Sequence, residues 1–494
     1  MELKGLKSGT DVRGTALPGY GSEVNLGAAE VRAIADAFCA WLRPRVKGKI
    51  VAVGGDSRLS TEDIKAIVTE ALTDAGYDVK DCGLCSTPSM FMTTKFPEIG
   101  ACAAVMVTAS HHPSEKNGLK FFLPGGGLEG AQIGEIIELA ERGEKLVGKE
   151  KGKVEKDDFM RYYCDFLVSK VREATGLPSP LKGMKIVVDA GNGAGAFYPK
   201  RVLEPLGADT TGSQFLEPDG NFPNHIPNPE NPQAMESVSH ATVNAKADLG
   251  VIFDTDVDRA AIVAPDGSEI NRNSLIALIS AILLRDEKGA TIVTDSVTSD
   301  GLKTFIEEHG GKHHRFKRGY KNVIDEAIRL NEAGVNAPLA IETSGHAALR
   351  ENYFLDDGAY LVTRIIIEAV RLRKAGKPLL SLIEDLHTAK ESLEVRLSFN
   401  TPDWKNLGAF VIENMKKTKN RDLIVAPDNY EGVRVSIPKF KGWFLIRMSV
   451  HDPIMPINIE SDLYGGAVKI AGILYAYLSA FGGLNCSNLE KIVK

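Results

Sequence analysis

Ser110 lies in a stretch rich in reactive side chains, VTASHHPSEKNGLKFF (residues 107–122). It follows an apolar run that is typical of a strand, and a strand would bring its hydroxyl to the functional edge of a domain. A serine that acts as a covalent nucleophile needs a base or a charged partner, and His111 and Lys120 are the candidates here. We expect an Asn-Gly turn at residues 117 and 118 to return Lys120 towards the serine. On this segment alone a second interpretation stays open, in which Ser110 caps a following helix.

Three aspartates alternate directly after another apolar run: FDTDVDRAA contains Asp254, Asp256 and Asp258. In extended backbone such residues point to one side, and three carboxylates so placed repel one another unless a cation lies among them. Oxygen ligands favour Mg²⁺ or Ca²⁺, and a site with few protein ligands that also meets a phosphate favours Mg²⁺. The glycine and the final glutamate of an EF-hand loop are missing. The alternative, a plain polar loop after a strand, does not explain why three acids share one face.

Three other segments carry candidate side chains for binding a ligand. ETSGH offers Glu342, Ser344 and His346 at alternate positions, KRGYKN offers Arg318 and Lys321 in a glycine-containing turn, and RMSVHDP offers Arg447, Ser449 and His451. The first set suits hydrogen bonding to adjacent hydroxyls, although it also fits the capped start of a helix. The glycine-rich DAGNGAGAF (residues 189–197) has the spacing G-x-G-x-G rather than G-x-G-x-x-G, so it does not favour dinucleotide binding.

The elements that must position these residues alternate between short β-branched runs and amphipathic helical segments. GKIVAVGGD predicts a strand, and STEDIKAIVTEALTDAGY predicts a helix opened by a Ser-x-x-Asp cap. The apolar runs lack a period of two, which indicates parallel sheets covered by helices on both faces. The sequence therefore predicts an α/β protein whose functional loops follow the carboxyl ends of strands.

Several domains are expected because 494 residues are too many for one hydrophobic core. The charged stretch 143–158 is interpreted as a solvated connection, and a helix from about residue 157 to 175 leads to the second domain. The final part of the chain has fewer strand–helix alternations and a strand-rich middle. We therefore predict three similar α/β domains with mixed or parallel sheets and a C-terminal α+β domain, with the bounds 1–175, 176–280, 281–390 and 391–494.

Composition excludes some classes of function. With a net charge of −6 and no basic block, the chain is not expected to bind nucleic acid. No run approaches the roughly 18 apolar residues of a membrane span. The N-terminus has no apolar signal core, so we expect a cytoplasmic protein, or one of the plastid stroma if a transit peptide has been removed. Of six cysteines only Cys82 and Cys85 form a C-x-x-C, which we interpret as buried thiols rather than a redox or zinc site.

Taken in order, these motifs resemble those of the α-D-phosphohexomutases, the phosphoglucomutase and phosphomannomutase superfamily. The family's serine loop, T-A-S-H-N-P with a later N-G-x-K, is matched by TASHHP (residues 108–113) and NGLK (117–120). Its metal loop, D-x-D-x-D-R, is matched at 254–259, and its sugar loop, G-E-x-S-G-H, at 342–346. The N-terminal SGTDVRG resembles the opening motif of the family. The resemblance covers essentially the whole chain.

The resemblance implies four domains around a central cleft and a reversible phosphoryl transfer between C1 and C6 of a hexose, with sugar phosphates as substrates. It also implies that the serine is carried as phosphoserine, and that a hexose 1,6-bisphosphate is both intermediate and activator. The implied roles are catalysis by Ser110, His111, Lys120 and Arg13; binding of Mg²⁺ by Ser110, Asp254, Asp256 and Asp258; substrate binding by Arg259, Lys321, Glu342, Ser344 and His346; and phosphate binding by Arg447, Ser449 and His451. We expect a monomer or a homodimer.

The phosphate loop departs from the family pattern, R-x-S-N/G-T-E-P-x-x-R. Arg447, Ser449 and Pro453 match it, whereas Val450, His451 and Asp452 stand at the Asn/Gly, Thr and Glu positions. Pro456 stands at the final arginine. That change removes a bidentate donor to the distal phosphate of the substrate, a loss that a protonated His451 is suited to offset. Three more positions differ: His112 replaces asparagine in the serine loop, Ile341 replaces the glycine before the sugar loop, and Gly55 stands where many members carry arginine.

Two alternatives to a mutase acting on glucose and mannose phosphates stay open. A glucose 1,6-bisphosphate synthase would take a phosphoryl group from another sugar bisphosphate and release its product before reorientation, which the weaker phosphate loop favours. A non-catalytic sugar-phosphate-binding regulator would keep the fold without the chemistry. The intact Ser110 and the three aspartates argue against this second alternative.

Overall fold

The computed structural model describes residues 2–19, 21–449 and 452–494 of the chain. The chain divides into two compact units, of which one comprises Met1–Leu275 with Ser344–Leu382 and the other Ile276–Thr343 with Ile383–Lys494. None of the helices in the described ranges combines the length and the apolar composition that crossing a membrane requires.

The first domain is a mixed sheet packed against helices. Its strands are β1 (Lys7–Ser8), β2 (Asp11–Thr15), β3 (Ile50–Gly55), β4 (Asp78–Leu84), β5 (Ala103–Val107), β6 (Lys116–Leu123), β7 (Gly126–Gly127) and β8 (Val154–Lys156). Its helices are α1 (Ala28–Leu42), α2 (Thr61–Asp74), α3 (Thr87–Met92), α4 (Gly130–Glu141) and α5 (Phe159–Thr175). The strand order is β1-β2-β6-β5-β3-β4-β8, with β5, β3, β4 and β8 parallel and β2 and β6 antiparallel. Every residue of β5 is buried, which explains its apolar run without alternation.

Helix α2 begins differently from the predicted cap. Ser60 precedes the helix in a helical conformation, and within the described chain its side chain makes no capping hydrogen bond. Its hydroxyl instead accepts a hydrogen bond from Nδ2 of Asn117 at 2.9 Å, which ties the start of the helix to β6. The predicted Ser-x-x-Asp cap is therefore wrong, because this longer-range hydrogen bond uses the oxygen that would have capped the helix.

The second domain has a four-stranded sheet that carries the aspartate loop. Its elements are β9 (Ile186–Asp189), α6 (Pro232–Asn244), β10 (Leu249–Phe253), β11 (Ala260–Val263) and β12 (Glu269–Ile270). Helix α7 (Arg272–Asp286) follows, and its residues from Ile276 onward belong to the second unit. The order is β12-β11-β10-β9, with β9 and β10 parallel and the other pairs antiparallel. Strand β10 is wholly buried, and the aspartate loop joins it to β11.

The third region again combines parallel strands with helices. In the second unit its elements are β13 (Thr291–Thr294), α8 (Asp300–Glu308), β14 (Lys312–Arg315), α9 (Tyr320–Glu332) and β15 (Leu339–Ile341). Strand β13 pairs in parallel with β14 on one side and β15 on the other. In the first unit an antiparallel pair, β16 (Ala347–Leu349) and β17 (Leu355–Asp356), precedes α10 (Gly358–Lys374).

The C-terminal domain is an antiparallel sheet with helices on one face. Its elements are β18 (Glu391–Phe399), α11 (Trp404–Lys416), β19 (Ile424–Val425), β20 (Val433–Ile437), β21 (Gly442–Ile446), β22 (Ile454–Ser461), α12 (Gly466–Leu478), β23 (Leu484–Asn485) and α13 (Ser487–Val493). The strand order is β19-β20-β21-β22-β18-β23. Alternate residues such as Val395, Leu397, Ile457 and Ile459 enter the core with the helices, so the residues between them lie on the opposite face.

The predicted fold class is confirmed: three α/β regions precede a β-rich C-terminal domain. The predicted domain bounds stay predictions. Cys82, in β4, and Cys85, just after it, are buried free thiols, as the sequence indicated.

Candidate active site

Ser110 follows β5 in a tight turn and is only 3% exposed. Its φ of +51° lies in the left-handed region, where a residue other than glycine stores about 1–3 kcal/mol of strain unless its surroundings hold it. Its N–H donates to Oγ1 of Thr108 at 2.8 Å. The next element is the strand β6 rather than a helix, so the interpretation of Ser110 as a helix cap is wrong.

Arg58, which the sequence reasoning missed, holds the serine loop by its main chain. Its guanidinium donates to the carbonyl oxygens of Ser110 and His112 at 2.5 Å each, and to two further carbonyls of the loop. It also pairs with Asp56 at 3.3 Å, with both side chains fully buried. Asp56 in turn accepts a hydrogen bond from Oγ1 of Thr108 at 2.7 Å. The signal in the sequence was the pair of opposite charges directly after the apolar strand β3.

The aspartate loop is a turn rather than extended chain. The N–H of Asp254 donates to the carbonyl of Arg259 at 3.3 Å, and Val257 has a φ of +66°, which is rare for a β-branched residue. Side-chain oxygens of Asp254, Asp256 and Asp258 nevertheless lie within 4.8 Å of one another. The predicted convergence is therefore present, but its predicted cause, alternation along extended backbone, is wrong.

The three carboxylates fit a hard divalent cation. Oδ1 of Asp256 and Oδ1 of Asp258 are buried and have no hydrogen-bond partner among the described residues, and such atoms call for a ligand or a cation. Burial, and then the charge of Asp258, raise the pKa of Asp254 well above its usual range. At Asp258 burial acts in the same direction, but the charges of Lys120 and His346 outweigh it and lower the pKa. A cation among the three oxygens would keep all of them ionised.

The hydroxyl of Ser110 lies at the centre of the predicted catalytic residues of the first unit. Its Oγ donates to Oδ2 of Asp254 at 3.1 Å and accepts from Nη2 of Arg259 at 3.2 Å. Nδ1 of His111 lies 3.3 Å from the same oxygen. Nζ of Lys120 lies 2.7 Å from Oδ2 of Asp258. The structure thus brings the serine, a carboxylate, a guanidinium and an imidazole together.

His111 is held neutral by its surroundings. Burial, followed by the charges of Arg259 and His112, lowers its pKa far below the usual range. Arg13 lies on β2, pairs with Asp11 at 2.9 Å and adds to the same effect on His111. In this state His111 is a weak base, and a phosphoryl group on the serine would raise its pKa because the negative charge favours the imidazolium.

The predicted Asn-Gly turn is wrong, because Asn117 and Gly118 lie inside β6. A Cβ on Gly118 would lie 2.2 Å from the carbonyl oxygen of Val12, so the glycine permits the close approach of β2. The chain reverses earlier, and Lys120 reaches the acidic loop as part of the strand.

In the sugar loop, His346 faces the acidic loop of the first unit. Its Nδ1 hydrogen-bonds to Oδ2 of Asp356 and lies 3.9 Å from Oδ1 of Asp258. Burial alone lowers its pKa, but these two carboxylates outweigh burial and raise it to about 9. Ser344, also in the first unit, is buried. The two carboxylates therefore favour the imidazolium form of His346.

The remaining predicted residues lie in the second unit. Oε1 of Glu342 accepts a hydrogen bond from the N–H of Gly319 at 2.6 Å. Lys321 pairs with Asp325, and Nη1 of Arg447 lies 3.8 Å from Oε1 of Glu431. Ser449 Oγ accepts a hydrogen bond from the N–H of Asp452 at 3.3 Å. His451 lies outside the described residues.

Thr87 is a second supporting residue that no motif revealed. Its hydroxyl donates to Oδ2 of Asp256 at 2.5 Å, and its N–H donates to the carbonyl of the same residue at 2.8 Å. It is the first residue of α3, so it fixes the aspartate loop of the second domain against the first domain. Little in the sequence indicated this contact, because a threonine at the start of a helix usually takes part in capping the helix.

Comparison with known proteins identifies the family. Family models described as "Phosphoglucomutase/phosphomannomutase, alpha/beta/alpha domain" I, II and III match residues 9–146, 161–267 and 271–389. A phosphoglucomutase of Neisseria gonorrhoeae is 30% identical over 423 residues, which cover 85% of this chain and 86% of that protein. A phosphomannomutase/phosphoglucomutase of Pseudomonas aeruginosa is 31% identical over 417 residues, or 83% of each chain. The crystal structure of a phosphoglucomutase/phosphomannomutase family protein from Burkholderia thailandensis matches with a TM-score of 0.81 and 27% identity, over 98% of this chain and 99% of that one. The chain belongs to the phosphoglucomutase/phosphomannomutase family.

Proposed function

We propose that this protein is a hexose-phosphate mutase that moves a phosphoryl group between C1 and C6 of a hexose. The observation that carries the proposal is the position of Ser110 Oγ, which is hydrogen-bonded to Asp254 and Arg259 of the buried aspartate loop. A serine so placed can carry a phosphoryl group beside a divalent cation. The relatives named above are a phosphoglucomutase and a phosphomannomutase/phosphoglucomutase, which supports glucose and mannose phosphates as substrates.

In the first half-reaction the phosphoryl group passes from Ser110 Oγ to a free hydroxyl of the hexose monophosphate. The bond between phosphorus and Ser110 Oγ breaks with its electron pair remaining on that oxygen, and a bond to the sugar oxygen forms. The hydroxyl proton passes to the neutral imidazole of His111, whose Nδ1 lies 3.3 Å from Ser110 Oγ. Arg259, which donates to the same oxygen, stabilises the negative charge that develops there.

The second half-reaction runs in the opposite sense. The hexose 1,6-bisphosphate reorients, and its other phosphoryl group returns to Ser110 Oγ while His111 gives its proton back to the sugar oxygen. Bisphosphate that escapes leaves the serine without its phosphoryl group, and added bisphosphate restores it, which is why it activates.

Mg²⁺ is the metal that we propose for the three aspartates. The unpartnered Oδ1 atoms of Asp256 and Asp258 and the oxygen-only chemistry of the three side chains fit it, and when bound it supplies a positive charge to the transferring phosphoryl group. Lys120, held at Asp258, and Arg13 add positive charge around the serine.

The other predicted residues are proposed to bind the sugar phosphate. Glu342 and Ser344 are proposed to bind sugar hydroxyls, and Lys321 and His346 to bind other polar groups of the substrate. Arg447 and Ser449 are proposed to bind the distal phosphate. The relatives named above are mutases, which supports a mutase over a bisphosphate synthase or a non-catalytic regulator.

The test is turnover of glucose 1-phosphate and mannose 1-phosphate with Mg²⁺ and a trace of glucose 1,6-bisphosphate, combined with intact-mass spectra. We expect hexose 6-phosphate to form and the protein to gain the mass of one phosphoryl group. Ser110→Ala should abolish both, whereas Ser114→Ala, a serine of the same loop, should retain both. Phosphorylation that persists in Ser110→Ala, or normal turnover by that variant, would contradict the proposal.

A further inference from the structure

Pro456, which stands where the phosphate loop usually has an arginine, has neighbours on two adjacent strands of the C-terminal sheet. Ile446 pairs with Ile457, and the N–H of Arg447 donates to the carbonyl of Pro456 at 3.2 Å, so these two residues are neighbours. On the other side of β22, Arg396 of β18 pairs directly with Pro456. Pro456 therefore lies between two arginines that are far from each other in sequence.

Arg396 and Pro456 lie on the same face of the sheet. The residues that flank them, Val395 and Leu397 on β18 and Met455 and Ile457 on β22, are buried in the core with the helices. Directly paired residues have Cβ atoms only about 4.5–5.5 Å apart, so the side chain of Arg396 extends beside Pro456, which is itself buried. The side chain of Arg396 is 65% exposed, which leaves it accessible to a ligand.

The charges on this face converge. Glu394, two residues before Arg396, lies 2.8 Å from the guanidinium of Arg396. Burial raises the pKa of Glu394, but the charges of Arg396, Arg318 and Arg447 outweigh it and lower the pKa. All three arginines are thus close enough to act on one carboxylate.

Arg447 has unused donor capacity at this place. It is 8% exposed, and within the described part of the chain its buried Nε has no hydrogen-bond partner. Its ion pair with Glu431 is long, with Nη1 3.8 Å from Oε1 of that carboxylate. Oε2 of that carboxylate accepts hydrogen bonds from the hydroxyl of Ser296 at 2.6 Å and the N–H of Arg318 at 3.0 Å. A guanidinium that is buried and incompletely paired is suited to binding an anion.

We propose that Arg396 supplies the second guanidinium for the distal phosphate of the substrate, in place of the arginine that Pro456 replaces. The phosphate then lies between the guanidinium groups of Arg396 and Arg447. This inference rests on the proposed mutase function, since it assigns a residue to the binding of its hexose phosphate. The competing account is that Arg396 makes only a surface ion pair with Glu394, which has little effect on stability.

The test compares KM and kcat for glucose 1-phosphate in the full-length protein with Mg²⁺ and bisphosphate. Arg396→Ala should raise KM about 10- to 100-fold, which corresponds to losing charge-assisted hydrogen bonds. Its kcat should change less than about twofold, because the distal phosphate is bound similarly in ground and transition states. Arg396→Lys should be intermediate. Arg421→Ala, an exposed arginine of the same domain, is the matched control and should leave KM unchanged.

Two further variants separate ligand binding from the ion pair. Glu394→Gln frees the guanidinium, so KM should equal that of the wild type or fall below it. Arg396→Ala combined with Pro456→Arg should recover most of the lost affinity. A KM within about twofold of wild type for Arg396→Ala, or an equal rise in Arg396→Ala and Glu394→Gln, would overturn the inference while the mutase function stands. A wild-type protein that turns over neither hexose 1-phosphate would instead show that the proposed function has failed.

Discussion

The buried ion pair between Arg58 and Asp56 should stabilise the serine loop. Arg58→Met removes a guanidinium that pairs with the buried carboxylate of Asp56 and donates to four carbonyls of the loop. Removing one partner of a buried ion pair costs about 3–5 kcal/mol, because the other charge stays buried. For a domain of this size, a loss of about 4 kcal/mol corresponds to a fall in Tm of about 8–16 °C.

The assay is urea unfolding followed by tryptophan fluorescence. Of the three tryptophans of the chain, Trp41 is buried in α1 of the first domain, while Trp404 and Trp443 lie in the C-terminal domain. In a background with Trp404→Phe and Trp443→Phe, the signal therefore reports the first domain. Arg32→Met is the matched control: its side chain is 34% exposed, so its ion pairs should contribute no more than about 1 kcal/mol.

Two results test whether Arg58 supports the serine loop. Asp56→Asn combined with Arg58→Met should recover part of the lost stability, because it removes the unpaired buried charge. Amide hydrogen exchange should also rise in the peptides of residues 107–123 in the single variant. If Arg58→Met lowers the free energy of unfolding no more than Arg32→Met does, the claim that this guanidinium supports the serine loop is wrong.

Three further predictions concern the metal loop and the pH dependence of stability. Asp256→Ala should lose Mg²⁺-dependent turnover, and an unchanged Mg²⁺ titration would contradict the proposed metal site. Thr87→Ala, which removes the hydroxyl bound to Asp256, should weaken Mg²⁺ affinity about 10- to 100-fold in a titration of activity, with Thr94→Ala as the control that should match wild type. Burial raises the pKa of Glu460 to about 7, so the folded protein binds an extra proton between the unfolded pKa, about 4.3, and 7. The free energy of unfolding should therefore fall as the pH rises through this window. The fall should be about 2–3 kcal/mol larger in the wild type than in Glu460→Gln. Urea unfolding of both proteins at about pH 5 and pH 8 checks this, and parallel pH profiles would refute it.

The sequence predicted the groups that converge at the candidate site, but often for the wrong local reason. Asp254, Asp256 and Asp258 converge because a turn with a left-handed Val257 folds them together, and nothing in their spacing encodes that turn. Lys120 reaches the acidic loop as part of a strand rather than after a turn. Side-chain type and order along the chain are preserved in a motif, whereas the backbone path between them depends on tertiary packing.

The supporting residues were harder to predict because their partners are not motifs. Arg58 donates to backbone carbonyls, and every residue has a backbone carbonyl, so the sequence does not show which ones it contacts. Ser60 was predicted to cap α2, yet its hydroxyl is taken by Asn117 from a distant strand. The alternation of strands and helices, by contrast, was readable because burial on both faces leaves a continuous apolar run, as in β5.

The pairing of Arg396 with Pro456 in neighbouring strands has a consequence for motifs that lack one of their usual residues. A comparison of sequence motifs considers one strand at a time, whereas a bound phosphate can contact side chains from several strands at once. A charge deleted from one strand can thus be replaced from its neighbour with little change in the surface that the ligand meets. For a relative that lacks one residue of a loop motif, the residues paired across the neighbouring strands should therefore be compared as well as the sequence of the loop.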